Sequence, residues 1–209
     1  MVKIIQASEL SLHEVKERFN LQEVGDDSFF WEWQGNLPEI TDNEKRWLDQ
    51  IKADFVSLAE YPLHEEVVKL FVLAPLLSLA GLARLPFLTV AEKQIEISFD
   101  EDNQVIRGRI NLLIIYRQLW VVVIESKSKR LDVMEALPQT LFYMMGTPNQ
   151  EQPTFGLLSN GNRFIFVKLM QRGELRYALS EDFSLQSRRN QLYEVLAILK
   201  QLKGLVQGG

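Results

Sequence analysis

Three polar side chains interrupt two otherwise apolar segments, and their types suit them to chemistry. Asn111 lies in IRGRINLLIIY (106–116), while Glu125 and Lys127 lie in LWVVVIESKSKR (119–130). A carboxylate and an ammonium at the end of a buried strand are unfavourable unless they pair or bind something. These residues are therefore the first candidates for a functional site.

The strand register decides whether the three side chains meet. Glu125 and Lys127 are two residues apart, so an extended strand places them on one face. Asn111 joins them if residue 111 pairs with residue 125, which requires a turn of odd length such as Arg117 to Leu119. A two-residue turn places Asn111 on the opposite face. The structural alternative is a Glu–Lys pair that closes the end of a strand.

The elements that must position these residues follow from the spacing of apolar side chains. The pattern predicts a helix over 64–79, three strands over 89–99, 105–116 and 119–127, a helix over 131–145, strands over 154–158, 163–170 and 174–179, and a final helix through Leu192 and Leu202. Pro138 either kinks the second helix or begins a new one. This order predicts an α/β fold with a mixed central β-sheet flanked by helices.

Acidic residues are concentrated near the start of the chain. The net charge is −5, yet residues 1–66 carry 15 acidic and 6 basic residues, whereas residues 67–209 carry 13 acidic and 17 basic residues. The first sixty residues also contain two capping-box patterns, Ser11 with Glu14 and Thr41 with Glu44. We expect residues 1–60 to form an acidic, mainly helical extension packed on a core domain of residues 61–209.

The composition excludes several kinds of chemistry. The chain has no cysteine and two histidines, so thiolate nucleophiles, disulfides and cysteine-based metal sites are absent, and histidine-rich sites are poorly supplied. The start lacks the pattern of a secretory signal, and the apolar run 70–83 is too short to span a membrane. These features predict a soluble, cytoplasmic protein with no membrane partner. There is no G-x-x-x-x-G-K-[ST] phosphate loop.

A set of short motifs in a fixed order resembles a known family. Gly108-Arg109-Ile110-Asn111 leads into an apolar strand, Glu125-Ser126-Lys127 ends the next, and Gln139 and Tyr143 follow four residues apart. This order is similar to the PD-(D/E)XK nuclease superfamily. It more closely resembles the N-terminal nuclease domain of the type I restriction enzyme R subunit, which shares the Gln-x-x-x-Tyr element. The similarity spans about residues 64–168 and includes Glu65, ten residues before Pro75.

The resemblance implies that residues 61–209 form a restriction-endonuclease-like nuclease domain, and that the protein is a DNA endonuclease that depends on Mg²⁺ or Mn²⁺. Glu65, Asn111 and Glu125 would bind the metal, and Lys127 would orient the attacking water. Gln139 and Tyr143 would hold the Lys–Glu pair or contact the DNA backbone. Read without the resemblance, Glu65 is a favourable charge at a helix N-terminus, and Gln139 and Tyr143 form an interior hydrogen bond.

Basic residues surround these motifs and are the candidates for DNA contact. The four assigned residues are Arg107, Arg109, Lys129 and Arg130. The alternative is a solvated rim of the domain. The resemblance also implies restriction-modification subunits acting in trans, while the oligomeric state stays open.

One departure from the family pattern separates the functional hypotheses. Asn111 stands where the family has its metal-binding aspartate, and an amide oxygen brings no negative charge to a hard cation. Glu96, Asp100 and Asp102 are carboxylates that would compensate if they lay nearby. The first hypothesis is therefore a weakened metal-dependent nuclease, and the second is an impaired nuclease-fold module that binds DNA or a restriction-complex partner. A third reading makes all of these residues structural.

Overall fold

The protein is described by a computed structural model that covers residues 3–58, 60–99, 104–117, 119–129 and 131–208. Its helices are α1 (Leu12–Phe19), α2 (Asp42–Ser57), α3 (Glu65–Val68), α4 (Ala74–Ala80), α5 (Leu137–Met145) and α6 (Leu192–Gln207). A π-helical segment, Lys69–Leu73, joins α3 to α4, and 3-10 turns cover Ala7–Glu9, Asp27–Trp33 and Val133–Ala136. The strands are β1 (Lys3–Gln6), β2 (Gln22–Glu23), β3 (Phe87–Phe99), β4 (Gln104–Tyr116), β5 (Leu119–Ser126), β6 (Thr154–Ser159), β7 (Arg163–Met170), β8 (Arg176–Leu179) and β9 (Phe183–Ser184).

All of these strands belong to one mixed sheet. Its order is β1-β4-β5-β6-β7-β8-β2, with β3 paired to β4 and β9 paired to β7. The parallel pairs are β1 with β4, β5 with β6 and β2 with β8, and the remaining pairs are antiparallel. The predicted mixed α/β architecture is confirmed.

Helices cover both faces of the sheet, which gives two apolar cores. The first core lies under α2, α3–α4 and α6, and includes Ile114, Val122 and Ile124 of the central strands. The second lies under α1 and α5, and includes Val123 and Leu158. Strand β5 is buried on both faces because its alternate side chains enter the two different cores.

Local signals in the sequence mark where α1, α2 and α5 begin. Both capping boxes form, with Ser11 before α1 and Thr41 before α2. Pro138 lies in the first turn of α5, immediately after the 3-10 turn 133–136, so it begins a helix and does not kink one.

The first sixty residues contain more than helices. The short strands β1 and β2 lie at the two ends of the strand order and pair with β4 and β8. These strands were not predicted, because four and two residues are too few for an alternating pattern to be read. The division of the chain at residue 60 stays a prediction.

The β4–β5 hairpin has the register that places residue 111 opposite residue 125, but the turn between the two strands is not the predicted one. Tyr116 pairs with Leu119, so the turn has two residues and not three. An irregularity between Ile114 and Ile115 then shifts the register by one residue, and Leu112 pairs with Ile124. This bulge brings residue 111 opposite residue 125, although the turn alone would have placed them out of register.

None of the helices in the described parts of the chain combines the length and the apolar character needed to cross a membrane.

Candidate functional site

A gap in the pairing of β4 creates the site. Strand β3 lies along one whole edge of β4, so β1 and β5 share the other edge. There β1 pairs with residues 104–107 and β5 with residues 112–116. Residues 108–111 lie between these two ladders, and their backbone is free to bond with side chains from neighbouring elements.

Glu125 is a fully buried carboxyl group at the end of β5, beside this gap. Its Oε1 accepts a hydrogen bond of 2.9 Å from the Asn111 backbone N–H. Its Oε2 is buried and has no hydrogen-bond partner among the described residues. Burial raises the pKa of Glu125 to about 8, against the opposing effects of the Asn111 N–H and the Lys127 charge. A buried polar atom without a hydrogen-bond partner is unfavourable, which marks this oxygen as a point for an added ligand.

The Asn111 side chain turns toward Ser126. Its Oδ1 accepts from the Ser126 backbone N–H at 2.8 Å and from the Ser126 hydroxyl at 3.2 Å. The carbonyl oxygen of an amide has two lone pairs, so both are occupied. Asn111 therefore bridges β4 and β5 where their backbone ladder has ended.

Lys127, Gln139 and Tyr143 form a chain of hydrogen bonds between β5 and α5. Lys127 Nζ donates to Gln139 Oε1 at 3.1 Å, and Gln139 Nε2 donates to the Tyr143 hydroxyl at 2.7 Å. Burial is also the main cause that raises the pKa of Tyr143 to about 12. Lys127 is thus held by Gln139, and the expected pairing of Gln139 and Tyr143 on one helical face is present.

Gly108 allows this arrangement. A Cβ atom at residue 108 would lie 2.4 Å from the Tyr143 hydroxyl oxygen and 2.7 Å from the Cβ of Ala7. A side chain there would displace Tyr143. The glycine of the motif is therefore required by the close approach of α5 to the unpaired segment of β4.

Glu65 faces a lysine that the sequence interpretation overlooked. Glu65 is the first residue of α3, and its Oε1 lies 2.8 Å from Lys69 Nζ. Lys69 Nζ also lies 3.9 Å from Glu92 Oε1 on β3. Glu65 and Lys69 both act electrostatically on the carboxyl group of Glu125, so the acidic site predicted from the sequence contains a built-in cation.

The residues assigned to DNA contact lie in different surroundings. Arg109 is exposed beside the site and lines a polar cavity of about 200 Å³ with Gln6, Gln94 and Arg107. Arg107 Nε also donates to Glu96 at 2.7 Å, so Glu96 binds an arginine four residues away from Asn111. The Nζ of Lys129 lies 5.2 Å from the centre of the Phe55 ring. Arg130 and the carboxylates of Asp100 and Asp102 fall outside the described residues.

Of the three predicted metal ligands, only one has an oxygen atom that is available to a divalent cation. Glu125 offers a free oxygen, whereas the Asn111 oxygen is saturated by Ser126 and the Glu65 carboxylate is paired with Lys69. Within the described residues, no group of three or more acidic, histidine or cysteine side chains could hold a metal ion. The arrangement therefore does not fit a Mg²⁺ site with Glu65, Asn111 and Glu125 as ligands.

Lys69, Glu92 and Ser126 are the residues of the site that the sequence interpretation missed. Lys69 carried a signal, since it lies four residues after Glu65 within an apolar helix. Glu92 carried no signal in the sequence, because its approach to Lys69 depends on the pairing of β3 with β4. Ser126 was read only as the middle residue of the Glu-Ser-Lys motif.

Comparisons with known proteins give a weak likeness. No protein-family model and no curated protein matches the chain. Among solved structures it is similar to "The fragment structure of a putative HsdR subunit of a type I restriction enzyme from Vibrio vulnificus YJ016". The TM-score is 0.42 at 17% sequence identity, over 69% of this chain and 26% of that chain. This chain thus matches about a quarter of the length of that protein.

Proposed function

We propose that this protein is a nuclease-fold module that binds the DNA backbone and whose hydrolytic site is disabled at one metal ligand. The observation that carries the proposal is the pair of bonds from Ser126 to the Asn111 amide oxygen, next to the unpartnered oxygen of Glu125. The polar residues of a hydrolytic site are assembled, while the capacity to bind a divalent cation is reduced. The motif order resembling the type I restriction R subunit favours DNA as the ligand.

Basic groups at the site supply the means to hold a phosphodiester. Arg109 is exposed and makes no ion pair within the described residues, so its guanidinium is available to a phosphate. Lys127 directly follows β5 and is fixed in position by Gln139 of α5. Arg109 itself belongs to the segment 108–111, which pairs with neither β1 nor β5. A DNA backbone bound at this segment would meet the Arg109 charge.

Salt-dependent binding tests this proposal. We expect a fluorescently labelled DNA duplex to bind in the presence of EDTA, with an affinity that falls steeply as NaCl increases. Arg109→Gln is expected to weaken binding to all sequences and to reduce the slope of log K against log salt by about 1. Arg172→Gln is the matched control, because Arg172 follows β7 at the opposite end of the sheet from the site.

Two outcomes would contradict DNA binding at this edge. One is the absence of salt-dependent association, and the other is an equal loss of affinity in the Arg109→Gln and Arg172→Gln variants. The second outcome would show a general effect of net charge and no local contact.

A second candidate is a Mg²⁺-dependent endonuclease that tolerates an amide at residue 111. The observation that favours it is the free, buried oxygen of Glu125, which a cation would satisfy. Restriction-modification subunits would then act with this protein in trans. Cleavage by the unaltered protein in Mg²⁺ or Mn²⁺, lost in Lys127→Ala, would establish this candidate in place of the first.

A further inference from the structure

Lys69 lies among the carboxylates that would otherwise hold a cation. Its Nζ is 2.8 Å from Glu65 Oε1 and 3.9 Å from Glu92 Oε1. The Lys69 charge also acts on Glu125, whose Oε2 is fully buried and has no partner among the described residues. The ammonium group therefore lies at ion-pair distance from two carboxylates on different elements, and its charge also acts on a third carboxyl group.

The backbone that carries Lys69 departs from a regular helix at this residue. A π-helical segment begins at Lys69, where the Ala74 N–H bonds to the Lys69 carbonyl five residues earlier. Pro75 follows directly and lacks the N–H that a regular helix would use. Such π segments are frequent at functional sites, and this one begins at the residue whose N–H bonds to the Glu65 carbonyl.

Glu92 reaches the site through an unusual backbone conformation. Its φ of 54° lies in the left-handed region, which is unfavourable for a residue with a long side chain. Glu92 also interrupts the β3–β4 ladder, since Ala91 pairs with Leu112 and Lys93 with Ile110. The fold thus maintains a strained residue at the point where its carboxylate approaches Lys69.

We propose that the Lys69 ammonium takes the place of a divalent cation in this site, so that the acidic cluster is neutralised by the chain itself. This inference deepens the proposed function, on which it rests, by giving the reason that the site engages DNA without metal. A metal ion that entered between Glu65 and Glu92 would meet the Lys69 charge at ion-pair distance. Replacing that charge is therefore expected to create a cation site.

Binding of Mn²⁺ alone, followed by the electron paramagnetic resonance signal of the free ion, tests the proposal without DNA. The unaltered protein and Lys69→Arg, which keeps the charge, are expected to bind Mn²⁺ weakly. Lys69→Gln is expected to bind about tenfold more tightly or better, because a positive charge within about 4 Å of the ion is removed. The double variant Lys69→Gln with Glu92→Gln should return to the weak binding of the unaltered protein.

A matched control separates a local effect from net charge. Lys93→Gln removes the same charge one residue beyond Glu92, from an exposed side chain with no ion pair in the described parts of the chain. It should leave Mn²⁺ binding unchanged. The proposal is overturned if Lys93→Gln gains as much affinity as Lys69→Gln, or if Lys69→Gln gains none while its near-ultraviolet circular dichroism stays that of the folded protein.

The unaltered protein alone gives a result that does not depend on whether a variant folds. Tight Mn²⁺ binding by the unaltered protein, equal to that of Lys69→Gln, would overturn the inference. Failure of the proposed function is seen separately, as the absence of salt-dependent DNA binding in EDTA. The expected Mn²⁺ results with no DNA binding would therefore contradict DNA binding and still support the role of Lys69.

Discussion

The amide oxygen of Asn111 accepts hydrogen bonds from both the backbone N–H and the hydroxyl of Ser126, at 2.8 and 3.2 Å. These bonds join β4 to β5 beyond the last backbone pair of the ladder. An aspartate at this position would retain them with one oxygen and offer its second oxygen to a cation. Replacing the side-chain nitrogen of residue 111 by an oxygen would therefore add a possible metal ligand to a structural bridge.

The raised pKa of Glu125 predicts a stability that depends on pH. In the unfolded chain this carboxyl group ionises near pH 4.5, whereas burial keeps it protonated in the folded chain until about pH 8. The unfolded state therefore releases the proton first, and the free energy of unfolding should fall between these values, by on the order of 4 kcal/mol. Urea unfolding from pH 5 to pH 9 measures this fall.

Glu125→Gln should remove that dependence, because an amide does not titrate in this range. Glu135→Gln is the control, since Glu135 is exposed and its replacement should leave the fall in place. An equal fall in the Glu125→Gln variant would show that another group is responsible.

The close contact at Gly108 predicts a steric effect on the site. Gly108→Ala places a methyl group 2.4 Å from the Tyr143 hydroxyl oxygen, so the ring must move and the bond to Gln139 must lengthen. We expect a loss of about 1–3 kcal/mol in the free energy of unfolding, as for other overpacked cores. Gly35→Ala has nothing within 4 Å and is the control for a simple glycine replacement. A fully stable Gly108→Ala protein would contradict the packing described.

A buried ion pair between residues far apart in the sequence holds the segment before α2 against β7. Lys168 Nζ on β7 lies 2.5 Å from Glu32 Oε1 and donates to the Phe29 carbonyl at 2.7 Å. Both side chains of the pair are almost fully buried. Lys168→Met leaves the Glu32 charge without its partner and should lower the free energy of unfolding by about 3–5 kcal/mol.

Removing both charges should restore much of that loss. The double variant Lys168→Met with Glu32→Leu leaves no uncompensated buried charge, so it should be more stable than Lys168→Met alone in urea unfolding. Additive losses in the two single variants would show that Glu32 and Lys168 do not act as a pair.

The longer elements of the fold could be predicted from the sequence because their signals are local. The capping residues Ser11 and Thr41 and the alternation of apolar residues in β4 and β5 depend on near neighbours only. The order of these elements then predicted the mixed sheet. Strands β1 and β2 carried too few residues to be recognised, and their pairing with β4 and β8 is determined by tertiary contacts.

The candidate site was predicted in part. Hydrogen bonds join Asn111 to Glu125 and join Lys127 to Gln139 and Tyr143, although the functional roles of these residues stay predictions. The irregularity at Ile114 and Ile115 was not visible, because a bulge depends on the pairing partner and not on the strand's own sequence. The approach of Glu92 to Lys69 was invisible for the same reason.

Cleavage of supercoiled DNA in Mn²⁺ tests the proposed loss of the hydrolytic site most directly. The unaltered protein is compared with the double variant Asn111→Asp with Lys69→Gln, which gains an anionic ligand and loses the competing ammonium, and with the triple variant that also carries Lys127→Ala. We predict no cleavage by the unaltered protein, nicking by the double variant, and no nicking by the triple variant. Cleavage by the unaltered protein at the rate of the double variant would contradict the account, and so would a folded double variant that leaves the DNA intact.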